Sequence, residues 1–224
     1  MGDRWVDEHR RDPYTRRAKK ENYRSRAAYK LMQINKKFRL IHRNDLVLDL
    51  GCAPGGWSQV AAKIVEPKGL VVGVDIDHLD PIPGMAFIRG DLTHEVTQAS
   101  ARACLGGRLA HVVLSDMSPN ISGNYGLDHF RSMQLSKLTV DFGLPLLSKG
   151  GHLAVKAFEG GDLDAFARHI KTRFAKVKRF RPDATRKASS ELYIVALGHD
   201  GRGPPEWGDY LAEDADDEAG SDDW

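Results

Sequence analysis

In the segment Asp49-Leu-Gly-Cys-Ala-Pro-Gly-Gly-Trp57, Gly51, Gly55 and Gly56 follow directly on an apolar run. Glycine there lets a chain leave a strand sharply and lets the backbone approach a ligand with no Cβ in between. The pattern is not GxGxxG: Pro54 and the Gly55-Gly56 pair depart from the dinucleotide fingerprint, so the turn is not shaped for a pyrophosphate in the usual way. Asp75 closes the next apolar run, 24 residues beyond Gly51, placed to accept two hydrogen bonds from ribose hydroxyls. After the third run comes Arg89-Gly-Asp91, whose carboxylate can accept from the exocyclic amine of an adenine. One such feature alone is an ordinary tight connection, and Asp75 alone a helix cap, which Asp77 could equally supply. Three at the ends of three successive runs point to a cofactor site.

The elements that must hold these residues are legible in the same runs. Continuous apolar stretches at 46–50, 70–74, 85–88, 111–114, 152–156 and 192–197 predict strands buried on both faces, as in a parallel sheet. The segments between them are long enough for crossover helices, above all 56–65, 129–147 and 163–174. Residues 177–181 and 192–197, joined by a polar loop too short for an ordinary helix, predict an antiparallel hairpin at one edge. The expected fold is α/β: a doubly wound, mostly parallel seven-stranded sheet with an antiparallel edge strand. Ligands of such sheets bind outside the carboxyl ends of the strands, where the glycine turn and both acids fall. There is no internal repeat.

The chain has 224 residues, 41% hydrophobic and 29% charged, enough for one domain with a substantial core. Its longest run without Asp, Glu, Lys or Arg is 13 residues, at 50–62, short of the roughly 20 a membrane helix needs. The basic N-terminus carries no apolar core of a secretory signal, so the expected compartment is cytoplasmic. Cys52 and Cys104 form no CxxC and no cluster at ligand spacing, which argues against a disulfide scaffold or a structural zinc. The net charge of +2 conceals an asymmetry: residues 1–43 carry 14 Lys/Arg against 5 Asp/Glu, whereas residues 205–224 carry 9 acids and no Lys/Arg. Without that tail the balance is that of a polyanion binder. The expected organisation is a basic flexible arm at 1–21, a catalytic domain at 22–200 and an acidic disordered tail at 201–224. The tail matches the arm in size and opposes it in sign, and could compete with RNA for it.

Seven ordered segments carry a family resemblance: SRAAYKL at 25–31, VLDLGCAPGGWSQ at 47–59, GVDI at 73–76, RGDLT at 89–93, LSDMSPNISG at 114–123, GGHLAVKAFEG at 150–160 and KVKRFRPDATRKASSELYIVALG at 176–198. Over residues 22–198 the chain resembles the FtsJ/RrmJ-like family of S-adenosylmethionine-dependent RNA ribose 2′-O-methyltransferases, which implies a Rossmann-like class I methyltransferase fold. The resemblance implies that Gly51, Gly55, Trp57, Asp75, Asp91 and Asp116 bind S-adenosylmethionine, and that Lys30, Asp116, Lys156 and Glu191 form the catalytic tetrad. The wording around Asp116 is similar to the ribosomal branch, implying large-subunit ribosomal RNA as partner, with a uridine as acceptor and the large ribosomal subunit as setting.

The implied chemistry explains the residue types. A ribose hydroxyl must lose a proton as it attacks the methyl group, so alignment and a positioned base are the levers. A lysine serves as base only when its neutral form is accessible, through burial or a neighbouring cation; Lys156, at the end of an apolar strand with Lys30 beside it, is expected to have a depressed pKa, opposed by Asp116. No metal is required, since the donor departs as a neutral thioether, and nothing demands more than a monomer. Tyr14, Tyr23 and Tyr29, interleaved with Arg and Lys, predict an RNA-facing surface of phosphate clamps and stacking faces. A second cluster at 168–187 holds nine bases and one acid. The rivals are the same reaction on tRNA or a cap, a non-catalytic RNA-binding assembly factor, and, weakly, a nicotinamide oxidoreductase.

Overall fold

The computed structural model describes residues 12–208. In chain order the elements are α1 (Pro13–Lys20), α2 (Ala28–Phe38), β1 (Leu46–Leu50), α3 (Gly56–Val65), β2 (Leu70–Asp75), β3 (Met85–Arg89), α4 (Glu95–Cys104), β4 (Ala110–Ser115), α5 (Tyr125–Gly143), a 3₁₀ turn (Leu144–Leu146), β5 (Leu147–Phe158), α6 (Leu163–Lys171), β6 (Phe174–Phe180) and β7 (Glu191–His199). The sheet has seven strands in the order β3-β2-β1-β4-β5-β7-β6. β1 to β5 pair in parallel, and β7 runs antiparallel to both β5 and β6. The expected hairpin closes the sheet; within it the opposed strand is β7, and β6 takes the outer edge.

The apolar runs form strands because they feed two cores at once. Leu46, Leu48 and Leu50 of β1 pack with α4, α5 and α6, while Val47 joins α2 and α3 on the other face. All of β1 is buried, so each residue meets a hydrophobic layer whichever way the pleat points it. The chain winds from β1 out to β3, then returns to β4 on the far side of β1. That reversal leaves a crevice outside the carboxyl ends of β1 and β4.

Two boundaries differ from the sequence-based expectation. Residues 13–20, expected within a flexible arm, form α1. Asp12 caps it, its carboxylate accepting from the backbone of Tyr14 at 2.9 Å and Thr15 at 3.1 Å. Ala18 is buried with Tyr29 and Ala184, and Thr15 is buried on the same helix: a small face is enough to dock a helix whose Arg16, Arg17, Lys19 and Lys20 stay exposed. Residues 203–207, expected to be disordered, pack on the domain. Arg173 donates to the carbonyls of Gly203 and Pro204, and Trp207 stacks on Phe166 with ring centres 5.7 Å apart while its Nε1 donates to Asp141 at 2.8 Å. The rest of the arm, 1–11, and of the tail, 209–224, lie outside the described residues.

Candidate active site

β1 gives way to the glycine turn at Gly51, where φ is +71° and a Cβ would lie 2.0 Å from Met117 Cγ. No residue with a side chain fits there, because the turn must pass directly beneath the segment leaving β4. Gly51 and Cys52 donate backbone hydrogen bonds to the Val74 carbonyl at 2.8 and 3.3 Å, binding the turn to the end of β2. Asp75 completes the corner: one carboxylate oxygen accepts from Ala53 N at 2.7 Å, the other from Asp77 N at 2.9 Å. Each keeps a lone pair for a ligand.

A cavity of about 590 Å³ opens here, lined by Gly51, Asp75, Asp91 and Asp116, with Ile76, Leu92, Met117, Leu135 and Leu138 among the apolar walls. Asp91 accepts from Thr93 N at 2.8 Å and Thr93 Oγ1 at 2.7 Å through a single oxygen. The Thr93 backbone bond, followed by the hydroxyl bond, holds the Asp91 carboxyl below its ordinary pKa and leaves its second oxygen uncommitted to either. Ile76, within the lining, is strongly exposed: an apolar side chain bared beside two carboxylates suits a flat heterocycle with a hydroxylated sugar.

Gly55 and Trp57, expected with the other cofactor residues, follow the glycine turn just outside that lining. Gly55, at φ +104°, faces Leu79, Ile82 and Arg24. Trp57 turns inward as the first turn of α3 packs on the sheet. Its Nε1 donates to the Ala27 carbonyl at 2.9 Å, and its ring lies 5.4 Å from that of Tyr193. It fastens α2 to α3 and packs against a hydrogen-bond partner of Asp116.

Lys30, Asp116, Lys156 and Glu191, spread over 161 residues of sequence, meet at one point. Lys156 and Tyr193 are directly paired across β5 and β7, so both project to the face covered by α2, from which Lys30 descends. Lys156 Nζ lies 3.4 Å from Asp116 Oδ1 and 3.6 Å from Glu191 Oε2, and Lys30 is ion-paired with Glu191 Oε1. Thr185 Oγ1 donates to that same glutamate oxygen at 3.2 Å. Lys30, Lys156 and Glu191 are each only 8% exposed. Two ammonium groups and two carboxylates balance in a region too dry to hold any one of them alone.

The electrostatics correct one expectation. Burial by itself lowers the Lys156 pKa, but Asp116 and then Glu191 outweigh it, and the net direction is upward. The depressing influence foreseen for Lys30 does not govern. Conversely, burial pushes Asp116 up, yet Lys156, Lys30 and the Tyr193 hydroxyl together carry it below the ordinary carboxylate value.

Two contributors went unnoticed in the sequence. Tyr193 Oη donates to Asp116 Oδ1 at 2.6 Å, and burial together with the Asp116 and Glu191 charges keeps this phenol neutral far above its usual range. The signal was available, since residues two apart on a strand share a face and Glu191 had been singled out. Asp49 lies fully buried in β1, accepting from Ser58 Oγ at 2.5 Å with its other oxygen unpartnered. Burial, with Asp116 and Asp75 adding to it against the Ser58 bond, raises its pKa to about 7. Nothing in a run of apolar neighbours distinguished it from a strand residue.

The RNA-facing reading of the three tyrosines is also modified. Tyr14 and Tyr23 pack around Tyr29 at 5.4 and 5.9 Å, and Tyr29 is buried; they glue α1 to α2, leaving the basic side chains outward. In the second cluster Arg179 pairs with Asp164 and Arg181 ties down the carbonyls of Arg186, Lys187 and Ser189, while Lys176 and Lys178 stay exposed on the edge strand.

A doubly wound α/β domain with a carboxylate-lined cavity that shares Asp116 with a lysine-carboxylate cluster has the layout of a Rossmann-like group-transfer enzyme. The chain belongs to the FtsJ-like methyltransferase family, whose sequence pattern matches residues 23–199, and is a methyltransferase. It is 47% identical over 209 residues to the ribosomal RNA large subunit methyltransferase E of Methanothermobacter thermautotrophicus, covering 92% of this chain and 98% of that one. To the protein so named in Marinobacter nauticus it is 47% identical over 195 residues, covering 87% and 94%. A crystal structure from Plasmodium falciparum, described as a ribosomal RNA methyltransferase, superimposes with a TM-score of 0.72 at 30% identity, covering 80% of this chain and all of that one.

Proposed function

We propose that the chain transfers the methyl group of S-adenosylmethionine to a ribose 2′-hydroxyl of large-subunit ribosomal RNA, with Lys156 as the base. The observation that carries this is the meeting of Lys30, Asp116, Lys156 and Glu191 in one cluster, of which Asp116 also lines the cavity that presents Asp75 and Asp91.

The residues present fit the donor. Asp75, with a spare lone pair on each oxygen, suits the ribose diol; Asp91 suits the adenine amine; Ile76, Leu92 and Met117 wall the ring. When bound, the donor supplies an electrophilic methyl on a positively charged sulfur and departs as a neutral thioether. Asp116, held ionised, stabilises positive charge at the cavity's inner end and orients Lys156. Lys156, as the neutral amine, accepts the 2′-hydroxyl proton while the oxygen forms its bond to the methyl carbon and the carbon–sulfur bond breaks towards sulfur. Glu191 holds Lys30, whose ammonium faces the attacking oxygen's side and keeps Glu191 from monopolising Lys156. Because Asp116 and Glu191 raise the Lys156 pKa, the neutral amine is a minority form near neutrality, and the rate climbs with pH.

RNA as acceptor is supported by the exposed bases of α1 and of β6, and the ribosomal large subunit by the names of the relatives. With that substrate the protein acts in the cytoplasm. One chain supplies the whole cluster and cavity, so a monomer suffices.

The test is transfer of labelled methyl to purified large-subunit ribosomal RNA, assembled large subunits and bulk tRNA. Label recovered as an alkali-resistant 2′-O-methylated dinucleotide from ribosomal material is the expected result; label confined to tRNA, or to bases, would overturn the assignment.

A further inference from the structure

The segment that leaves Asp116 ends in an apolar lip. Ile121 is 63% exposed, Tyr125 60% and Leu127 38%, three of the six large hydrophobic residues exposed among those described. The lip is held in shape. The Asp128 carboxylate accepts from Ser122 N and Ser122 Oγ, both at 2.8 Å, and from Gly123 N at 3.1 Å. Asn124 caps α5, accepting from Gly126 N at 3.1 Å and Leu127 N at 3.3 Å. Tyr125 Oη donates to the Glu159 carbonyl, and Glu159 N donates to the Ser190 carbonyl at 2.9 Å, one residue before Glu191. The phenol is thus fastened to the two strand ends that carry Lys156 and Glu191. Its polar atom is spent on that bond, and what it offers solvent is the ring.

A ribose whose 2′-oxygen reaches a cluster this buried cannot remain inside a regular helix, so its base, or the next one, loses a stacking neighbour. A fixed, exposed aromatic ring replaces that neighbour at little entropic cost. We infer that Tyr125 is the stacking platform for an unpaired RNA base at or beside the acceptor nucleotide, an inference that rests on the RNA 2′-O-methylation reading above.

The experiment compares the full-length wild type with Tyr125→Leu, Tyr125→Phe and Tyr125→Trp. It measures methyl transfer to large-subunit ribosomal RNA over a range of RNA concentrations at saturating S-adenosylmethionine. Tyr125→Leu is expected to raise KM for RNA on the order of ten-fold while S-adenosylhomocysteine affinity, by calorimetry, stays at the wild-type value. Tyr125→Phe, which keeps the ring and loses the Glu159 bond, restores most of the loss, and Tyr125→Trp binds RNA at least as well as wild type. A wild-type KM in Tyr125→Leu overturns the inference. So does a Tyr125→Phe as impaired as Tyr125→Leu, since the hydroxyl tie would then be what matters. A wild type that labels no RNA removes the underlying reading, and that result is visible before any variant is compared.

Discussion

At the carboxyl edge of one sheet, Asp75 and Asp91 face the cavity with lone pairs to spare, while Glu191 and one oxygen of Asp116, the residue shared between the two regions, are taken up by two lysines and a tyrosine. The first region is an open half-site, built on backbone donors and completed by a ligand. The second is closed on itself, its charges already balanced without one. The difference assigns the two regions different work. The cavity binds because its groups are unsatisfied and correctly placed, whereas the cluster reacts because a ligand disturbs a balance. Changes in the cavity should therefore appear in donor affinity, and changes in the cluster in turnover and its pH dependence.

The largest effect should come from the centre of the closed region. Lys156→Met removes the proton acceptor and keeps the length of the stem, while Lys30 stays paired with Glu191. Turnover should fall by between about 100-fold and 10,000-fold, with S-adenosylhomocysteine affinity within a factor of two or so of wild type. Methyl-transfer rates alongside calorimetry separate the two numbers. A loss smaller than about ten-fold would make Lys156 an orienting cation and move the base elsewhere.

Asp49 underlies both regions, since Asp116 and Asp75 each help raise its pKa to about 7. A carboxyl raised on folding stabilises fully below its unfolded value and loses that contribution as pH rises through the folded one. For Asp49 the loss runs between about pH 4 and pH 7 and amounts to as much as about 4 kcal/mol. Asp49→Asn has no proton to lose. Its melting temperature relative to wild type should rise steadily from pH 4.5 to 7.5; a difference that is flat with pH would mean the carboxyl titrates normally.

Much of this was legible in advance, and for a physical reason. The runs at 46–50 and 111–114 predicted strands because burial on both faces leaves room for few polar positions, Asp49 being the exception in the first. Gly51 was legible because a glycine directly after an apolar run marks a sharp exit from a strand, and the structure adds Met117 as what fills the space of a side chain there. The four cluster residues were found through the resemblance, not through spacing, because no local pattern links a helix residue at 30 with a strand residue at 191. What stayed hidden depended on tertiary context. A face of Thr15 and Ala18 docks α1, the tyrosines read as stacking surfaces turn inward around Tyr29, and Trp57 packs against Tyr193. The direction of the Lys156 shift needed the distances to both carboxylates.

The open region should respond in affinity alone. Asp75→Asn keeps the size of the side chain but turns one of its two accepting oxygens into a donor, losing one of the Ala53 and Asp77 bonds as well as the charge, so S-adenosylhomocysteine should bind about ten- to a hundred-fold more weakly. At saturating donor, turnover should return to within about two-fold of wild type. Turnover that stays low at saturation would mean that Asp75 also aligns the reacting atoms, blurring the boundary between the regions.

The smallest effect is the sharpest probe of that boundary. Glu191 Oε2, 3.6 Å from Lys156 Nζ, is one of the two charges that raise the lysine's pKa. Below that pKa the neutral fraction of Lys156, and with it the rate, grows ten-fold per pH unit. Glu191→Gln removes one raising charge and keeps an oxygen for Thr185 to donate to, so the Lys156 pKa should fall. The rising limb of the pH–rate profile should move down by roughly one pH unit. At a pH on that limb the chemical step gains from the larger neutral fraction, while the plateau at high pH drops because Lys30 has lost its partner. A melting curve guards against simple unfolding, since breaking a buried pair is destabilising. If the profile loses height without moving along the pH axis, Glu191 positions Lys30 and does not tune the base. The closed region would then be two independent pairs and not one balanced set.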